Sequence, residues 1–128
     1  MHPEDRRYSR EHEWAKDEGD GTLLVGITDY AQGHLGDIVF LELPVVGTQL
    51  DRDQKLGEVE SVKSVSDIFA PVSGEVVAVN DVVVDSPEIV NEDPHGNGWL
   101  VRLRPSQPSE LDELLSAADY ESMLESLD

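Results

Sequence analysis

Cysteine is absent from the 128-residue chain. Its absence excludes disulfides, thiolate metal sites and a cysteine nucleophile, so any sulfur chemistry has to be brought by another molecule. No run of about 20 apolar residues could span a membrane, and residues 1–7 lack the apolar core of a secretory signal. The sequence therefore predicts a soluble protein of the cytoplasm.

Basic residues are also scarce, because nine lysines and arginines stand against 28 aspartates and glutamates, for a net charge of −19. Nucleic acids and anionic membranes are bound through positive patches, so neither is an expected partner. A chain this acidic repels itself most at low ionic strength, where screening is weakest. Adaptation to high salt is one interpretation of the charge, and an ordinary acidic protein is the other.

The length fits a single domain, 1–128, in which 1–7 is expected to be a flexible N-terminal segment. Short apolar stretches recur at intervals of roughly 8–12 residues with turn residues between them, a pattern typical of an antiparallel sandwich or barrel. The strongest strand prediction is 37–43, which Pro44 ends. Further strands are predicted over 8–16, 22–27, 75–79 and 99–104.

Helices are predicted near the middle of the N-terminal half and at the C-terminus. Thr28 is placed to cap a helix of at most two turns, which Gly36 ends. From Pro108 onward apolar residues recur at helical spacing, which predicts a helix there. Ser116, with Asp119 three residues later, predicts the start of a second C-terminal helix.

The sequence contains no recognisable catalytic or metal-binding motif. Segment 85–98 is rich in proline, glycine and asparagine and is predicted to be a loop, preceded by a turn at Asn80 and Asp81. Its acidic part, 92–95, completes no calcium-loop pattern. The four histidines do not fall at a metal-ligand spacing, and neither a nucleophile elbow nor a nucleotide-binding glycine loop occurs. We therefore predict no metal site, no catalytic residues and no enzymatic activity.

One lysine stands out, since segment 58–71 predicts a strand, a tight turn and a second strand with Lys63 at the turn. The apolar alternation breaks between Glu60 and Val65, as a chain reversal requires, yet the usual Asn-Gly or Asp-Gly pair is missing. An exposed turn lysine is ordinarily a solubilising residue. A free lysine is a weak nucleophile at neutral pH, so in chemistry it serves best as an attachment point for a carried group such as biotin or lipoamide.

The residues around this lysine, Gly57-Glu-Val-Glu-Ser-Val-Lys63-Ser-Val-Ser-Asp-Ile-Phe-Ala-Pro-Val-Ser-Gly74, closely resemble the lipoyl-attachment segment of the glycine cleavage system H-protein family. Other stretches resemble the same family, namely His12-Glu-Trp14, 25–32, 35–40, 42–44, 91–94, 98–100 and 108–115. The resemblance thus covers the chain from Tyr8 onward. It is far more specific than a lone lysine in a hairpin.

The resemblance implies a mainly β fold, a hybrid barrel-sandwich of the lipoyl-domain type with a short helix in the N-terminal half and helices at the C-terminus. It implies lipoic acid in amide linkage on Lys63 and a monomeric carrier without catalysis of its own. The implied partners are a pyridoxal-phosphate glycine decarboxylase that loads an aminomethyl group, a tetrahydrofolate-dependent aminomethyltransferase, dihydrolipoyl dehydrogenase and a lipoylating enzyme. The missing cysteines agree with this, because the redox sulfur arrives with the cofactor.

Five further residues match functional positions of the family. Glu60 and Gly74 match positions that lipoylating enzymes recognise, and Glu13, His34 and Asp67 match positions lining the cleft in which the loaded arm parks. The carboxylates suit that task, because an aminomethyl group bound to sulfur carries a protonatable amine that an anionic cleft would hold.

The chain also departs from the family pattern, and the resemblance leaves two alternatives. Glu11 stands where the family usually has Ser or Thr, and His95 stands where Tyr is common. A lipoyl or biotinyl carrier domain of another complex is one alternative, although biotin carriers have Met on both sides of the lysine and dehydrogenase domains read Asp-Lys-Ala, unlike Val62-Lys63-Ser64. An H-like protein that relays lipoyl groups to other acceptors is the second.

Overall fold

The computed structural model describes residues 2–127, which form two antiparallel sheets flanked by short helices. This confirms the predicted fold class. The strands are β1 Arg7–Tyr8, β2 Glu13–Asp17, β3 Leu23–Ile27, β4 Ile38–Glu42, β5 Gln49–Leu50, β6 Lys55–Ser61, β7 Val65–Phe69, β8 Gly74–Val79 and β9 Val101–Pro105. The helices are α1 Asp29–Leu35, α2 Asp81–Asp85, α3 Glu88–Glu92, α4 Ser109–Asp112 and α5 Ala117–Glu125.

The larger sheet runs in the order β1-β2-β3-β9-β8-β5, and the smaller one runs β4-β6-β7. Alternate residues of both sheets point inward, so the apolar side chains of each strand meet in one core. Each fully buried aliphatic side chain contributes roughly 1.5–3 kcal/mol to folding by leaving water. Deeply buried aliphatic members from both sheets include Val25, Leu41, Val59, Ile68, Val76 and Leu103.

Helix α1 confirms the predicted caps. The Thr28 hydroxyl accepts a hydrogen bond from the backbone N–H of Ala31, which satisfies one of the free donors at the helix start. Gly36 follows the helix with φ of 78°, a left-handed conformation that glycine adopts without strain. The helix therefore ends at Leu35, with His34 in its last turn.

The prediction of a loop over 85–98, with a turn at Asn80 and Asp81, was wrong in its first half. Helices α2 and α3 occupy most of 81–92, and each buries one valine completely, Val83 and Val90. Such short helices are stabilised by tertiary burial rather than by intrinsic propensity. Valine is a poor helix former and five residues show too little periodicity, so the local sequence does not reveal them.

The prediction of one strand over 8–16 was also wrong. The chain makes β1 and β2 with a turn between them, and His12 lies in the turn with φ of 73°. The helix predicted from Pro108 is shorter than its apolar spacing suggests, because α4 ends at Asp112 and Leu115 instead pairs as a β-bridge with Tyr8.

Helix α5 begins as predicted, since the Ser116 hydroxyl accepts a hydrogen bond from the N–H of Asp119 at 3.1 Å. It closes a second, aromatic core, in which Tyr120 stacks on Tyr8 with ring centroids 4.9 Å apart. Trp14 belongs to the same core.

The N-terminal residues 2–7 lie against this aromatic core. His2 is buried and makes edge-to-face contacts with Tyr8, Tyr120 and His95. Met1 lies outside the described residues, and the flexibility of 1–7 stays a prediction, as does the single domain spanning 1–128. Among residues 2–127, no helix has the length and apolar character needed to cross a membrane.

Candidate functional site

Strands β6 and β7 form the predicted hairpin, with Glu60 opposite Val65 and Lys63 in the turn. The turn is built by Ser61, whose buried hydroxyl accepts hydrogen bonds from the N–H groups of Lys63 and Ser64, both at 3.2 Å. A serine hydroxyl that bonds to nearby backbone N–H groups mimics a turn. It thus does the work of the missing Asn-Gly pair, a role that sequence reasoning overlooked.

Lys63 is exposed at the tip, and its ammonium lies at the C-terminal end of α1. Its Nζ donates a hydrogen bond to the backbone oxygen of His34 at 2.8 Å. The partial negative charge of a helix C-terminus favours a cation there by roughly 0.3–1 kcal/mol. Lys16 and Lys55 instead lie within 4 Å of carboxylates. Of the three lysines, Lys63 is therefore the one held by a neutral acceptor.

A cleft of about 340 Å³ opens between α1 and β7. It brings together the three residues predicted to line it, Glu13, His34 and Asp67. Because the Lys63 ammonium contacts His34, a group attached to Nζ would start beside the cleft. The remaining lining is mostly apolar and includes Ile27, Tyr30, Leu35, Val59, Ile68 and Phe69.

Glu13 is the buried charge of the cleft, only 2% exposed. Its carboxylate accepts a hydrogen bond from the Ser9 hydroxyl at 2.6 Å and another from the Phe69 N–H at 3.3 Å. Burial removes water from the carboxylate and raises the pKa of Glu13 to about 7, although both hydrogen bonds oppose the rise. A cation in the cleft would therefore meet a group that readily gives up its proton at neutral pH.

Three neighbouring rings form one wall of the cleft, with Tyr30 stacked on His34 and tilted against His12. The Tyr30 ring lies 4.7 Å from His12 and 4.1 Å from His34, measured between centroids. His12 is also fixed by Tyr120, whose hydroxyl lies 2.7 Å from Nδ1 and 2.8 Å from the Thr28 hydroxyl. Burial lowers the pKa of His12, which favours the neutral ring. Sequence reasoning gave no role to His12 or Tyr30, and the left-handed backbone of His12 leaves no signal in the sequence.

Asp67 lines the cleft and is half-exposed, with its carboxylate 3.5 Å from the ammonium of Lys55. Glu11, noted as a departure from the family pattern, also lines the cleft. Glu11 supplies no hydroxyl at its position, and the hydroxyl that donates a hydrogen bond to Glu13 is that of Ser9.

The two residues expected to serve the lipoylating enzyme differ in their surroundings. Glu60 is exposed on the central strand of the smaller sheet. Gly74 is buried, and a Cβ there would lie 2.5 Å from the backbone oxygen of Arg104 on β9. Close packing of β8 on β9 thus requires glycine at 74 whatever else it does. The recognition roles of both residues stay predictions.

His95, the second departure from the family pattern, lies at the start of α1. Its Nε2 accepts a hydrogen bond from the N–H of Asp29 at 3.3 Å, which requires an unprotonated nitrogen. Burial accordingly lowers the pKa of His95 to about 4. Among residues 2–127, no group of three or more histidine and acidic side chains is arranged to hold a metal ion.

Known proteins resemble the chain over nearly its whole length. The family model described as "Glycine cleavage H-protein" matches residues 6–127. A glycine cleavage system H protein of Carboxydothermus hydrogenoformans is 56% identical over 96% of this chain and 94% of its own. One of Thermus thermophilus is 55% identical, covering 97% and 96% respectively.

A solved structure agrees with these sequences. The crystal structure of a glycine cleavage system H protein from Mycobacterium marinum superimposes with a TM-score of 0.89 at 42% identity, over 97% of this chain and 99% of that one. Sequence and fold point to the same family, and the chain belongs to the glycine cleavage H-proteins.

Proposed function

We propose that the chain is the lipoyl carrier of a glycine cleavage system, with lipoic acid in amide linkage on Lys63. The observation that carries the proposal is the position of Lys63, exposed on a hairpin tip with its ammonium against His34 at the edge of the cleft. A group attached there is open to other enzymes and also lies within reach of a desolvated site. Both are required of a carrier.

The residues present fit the lipoyl group. A volume of about 340 Å³ lies in the range of roughly 300–1,000 Å³ usual for small-molecule sites. Its apolar lining suits a hydrocarbon chain, and the buried carboxylate of Glu13 suits a cationic end. When bound, lipoic acid supplies a pair of sulfur atoms that accept and release a one-carbon unit together with electrons.

The chain's own residues hold and protect the cargo. An ammonium in the cleft would pair with the ionised Glu13 carboxylate, whose orientation is fixed by Ser9 and Phe69. The neutral ring of His12 and the ring of Tyr30 face the same space and would shield a bound cargo from water. The chemistry is assigned to the partners: a glycine decarboxylase, an aminomethyltransferase and dihydrolipoyl dehydrogenase.

This cleft favours glycine cleavage over the relay of lipoyl groups to other acceptors. A relay carries a neutral dithiolane, which gains nothing from a carboxylate buried at a cost of several kcal/mol. The aminomethyl cargo is a cation and would offset that cost.

The carrier is proposed to work as a monomer in the cytoplasm.

Reconstitution with the partner enzymes tests the proposal. The lipoylated protein should support glycine-dependent release of CO₂, and Lys63→Arg should abolish it, because arginine keeps the charge but cannot form the amide. Lys55→Arg, at an exposed lysine of the same hairpin, is the matched control and should retain activity. Activity that survives in Lys63→Arg would contradict the proposed carrier function.

A further inference from the structure

The outer face of the smaller sheet carries two ordered rows of side chains beside Lys63. Nearer the tip, Phe40, Glu60 and Val65 lie opposite one another on β4, β6 and β7, and we call them the tip row. The next outward row consists of Glu42, Glu58 and Asp67, the carboxylate row. Directly opposed residues have Cβ atoms about 4.5–5.5 Å apart, so each row is a continuous strip.

The tip row exposes apolar surface that the fold does not use. Phe40 is 50% exposed and Val65 is 59% exposed, whereas the inward residues between the two rows, Leu41 and Val59, are buried. Val62, next to Lys63, is exposed as well. Single exposed apolar residues are ordinary, but Phe40 and Val65 flank Glu60 beside Lys63, and apolar side chains grouped at a functional site are typical of a protein contact surface.

The carboxylate row gives this surface a net negative charge. Lys55 lies 2.6 Å from a Glu58 oxygen and 3.5 Å from an Asp67 oxygen, so it neutralises one of the three carboxylates. Two negative charges remain, and Glu60 adds a third. A second copy of the chain would meet this face with the same charge and be repelled. The complementary partner presents an apolar pocket bordered by lysine or arginine.

The two rows lie directly beside Lys63, and this position indicates which partner contacts them. An unmodified lysine side chain is short, so the enzyme that modifies it has to bring its active site to the hairpin and contact residues beside Lys63. Enzymes that act on the far end of an attached arm have no such restriction. The surface next to the lysine is thus the one that a modifying enzyme touches.

We infer that Phe40 and Val65, with Glu42 and Glu58 of the carboxylate row, form the docking surface for the enzyme that attaches the lipoyl group to Lys63. The inference rests on the proposed function. It adds an apolar anchor on each side of Glu60 and a charged border to a site otherwise defined by the lysine.

Kinetics of lipoyl transfer to the unmodified protein test the inference. Lipoyl-AMP and a lipoylating enzyme are supplied; the acyl–phosphate bond breaks, Nζ loses a proton and forms the amide, and AMP leaves. Phe40→Ser should raise the KM for the protein about tenfold with kcat unchanged, and Val65→Ser should raise it severalfold, because central apolar anchors carry most of the affinity of an interface. The control is Val82→Ser on α2, at a valine 58% exposed, which should behave as wild type.

Two further measurements sharpen the test. The double variant Glu42→Gln with Glu58→Gln should weaken the dependence of kcat/KM on salt. Phe40→Ser protein lipoylated to completion should support glycine-dependent CO₂ release within twofold of wild type, and an equal loss in both reactions would contradict the assignment to the modifying enzyme. Thermal unfolding verifies that each variant is folded.

The outcomes separate this inference from the proposed function. Wild-type protein that is never modified at Lys63 overturns the proposed function itself. Wild-type protein that is modified, together with tip-row variants of unchanged KM, overturns the docking surface and leaves the carrier function standing.

Discussion

The hairpin tip and the cleft present their charged groups in opposite ways. Lys63 stands in solvent and is held by one backbone carbonyl, whereas Glu13 is buried under β7 with its carboxylate held by two donors. Strand β7 belongs to both regions, since it follows the tip and supplies the N–H of Phe69 to Glu13. The contrast separates a surface that other enzymes can reach from a buried site whose polarity is set by the chain's own residues.

Gly74→Ala should have the largest effect on stability. The variant also distinguishes a packing role of Gly74 from a role in recognition by the lipoylating enzyme. The added Cβ would lie 2.5 Å from a backbone oxygen that has little room to move, so we expect a loss of about 3 kcal/mol in the free energy of unfolding. Gly33→Ala on α1, where nothing lies within 4 Å of the new Cβ, is the control and should be neutral or stabilising. Urea unfolding measures both. A stable Gly74→Ala protein that is poorly lipoylated would place Gly74 on the recognition surface instead.

Glu13→Gln should disable the cleft and spare the tip. Lipoylation of Lys63 should proceed as in wild type, but the loaded carrier should lose its cargo to hydrolysis roughly 10- to 100-fold faster, because hydrogen bonds to charged groups contribute about 1.5–3 kcal/mol. The control is Asp67→Asn, at a half-exposed carboxylate already paired with Lys55, which should have a smaller effect.

The pH dependence of cargo retention gives the same test without mutation. The pKa of about 7 is that of Glu13 in the empty cleft, and an ammonium beside the carboxylate lowers it, so the wild-type protein should hold its cargo less well once the pH falls well below 7. Hydrolysis rates of loaded wild type that do not change with pH in this range would contradict the role of Glu13.

Acid should lower the free energy of unfolding through His95, which lies beside the aromatic core. Through Glu13 in the cleft, acid should raise it. His95 has a lowered pKa of about 4, so between pH 4 and 6.5 the unfolded chain binds more protons than the folded one. Its contribution, on the order of 2 kcal/mol, is present above pH 6.5 and is lost as the pH falls toward 4. The raised pKa of Glu13 acts with the opposite sign, stabilising the fold below about pH 4.5 and ceasing to do so as the pH rises through 7.

Urea unfolding between pH 4 and 8 separates the two contributions. His95→Gln keeps an acceptor near Asp29 and should flatten the fall in stability at acid pH. In Glu13→Gln the same acid fall should become steeper. An unchanged profile in His95→Gln would show that other groups control the acid side.

Salt should have the smallest and most diffuse effect. With a net charge of −19, the chain should gain stability from low to molar salt as repulsion is screened. Adaptation to high salt predicts unfolding at low salt and recovery at molar salt, followed by circular dichroism. A fold that is stable in both would favour the ordinary acidic protein.

The sequence predicts the strands and the lysine well because period-two patterns and turn residues are local signals. The hairpin around Lys63 and both caps of α1 follow from such signals. The cleft residues came from resemblance to a family, since Glu13 and Asp67 are far apart in the chain and only the fold brings them together. Helices α2 and α3 were missed because one buried valine in each depends on distant partners.

The most direct test of the central claim is a peptide map by mass spectrometry of the protein purified from its own host. The chain contains only three lysines, so each can be assigned without ambiguity. The account predicts one lipoyl group, on the peptide containing Lys63, with Lys16 and Lys55 unmodified. An unmodified Lys63, or a lipoyl group on either of the other lysines, would contradict it.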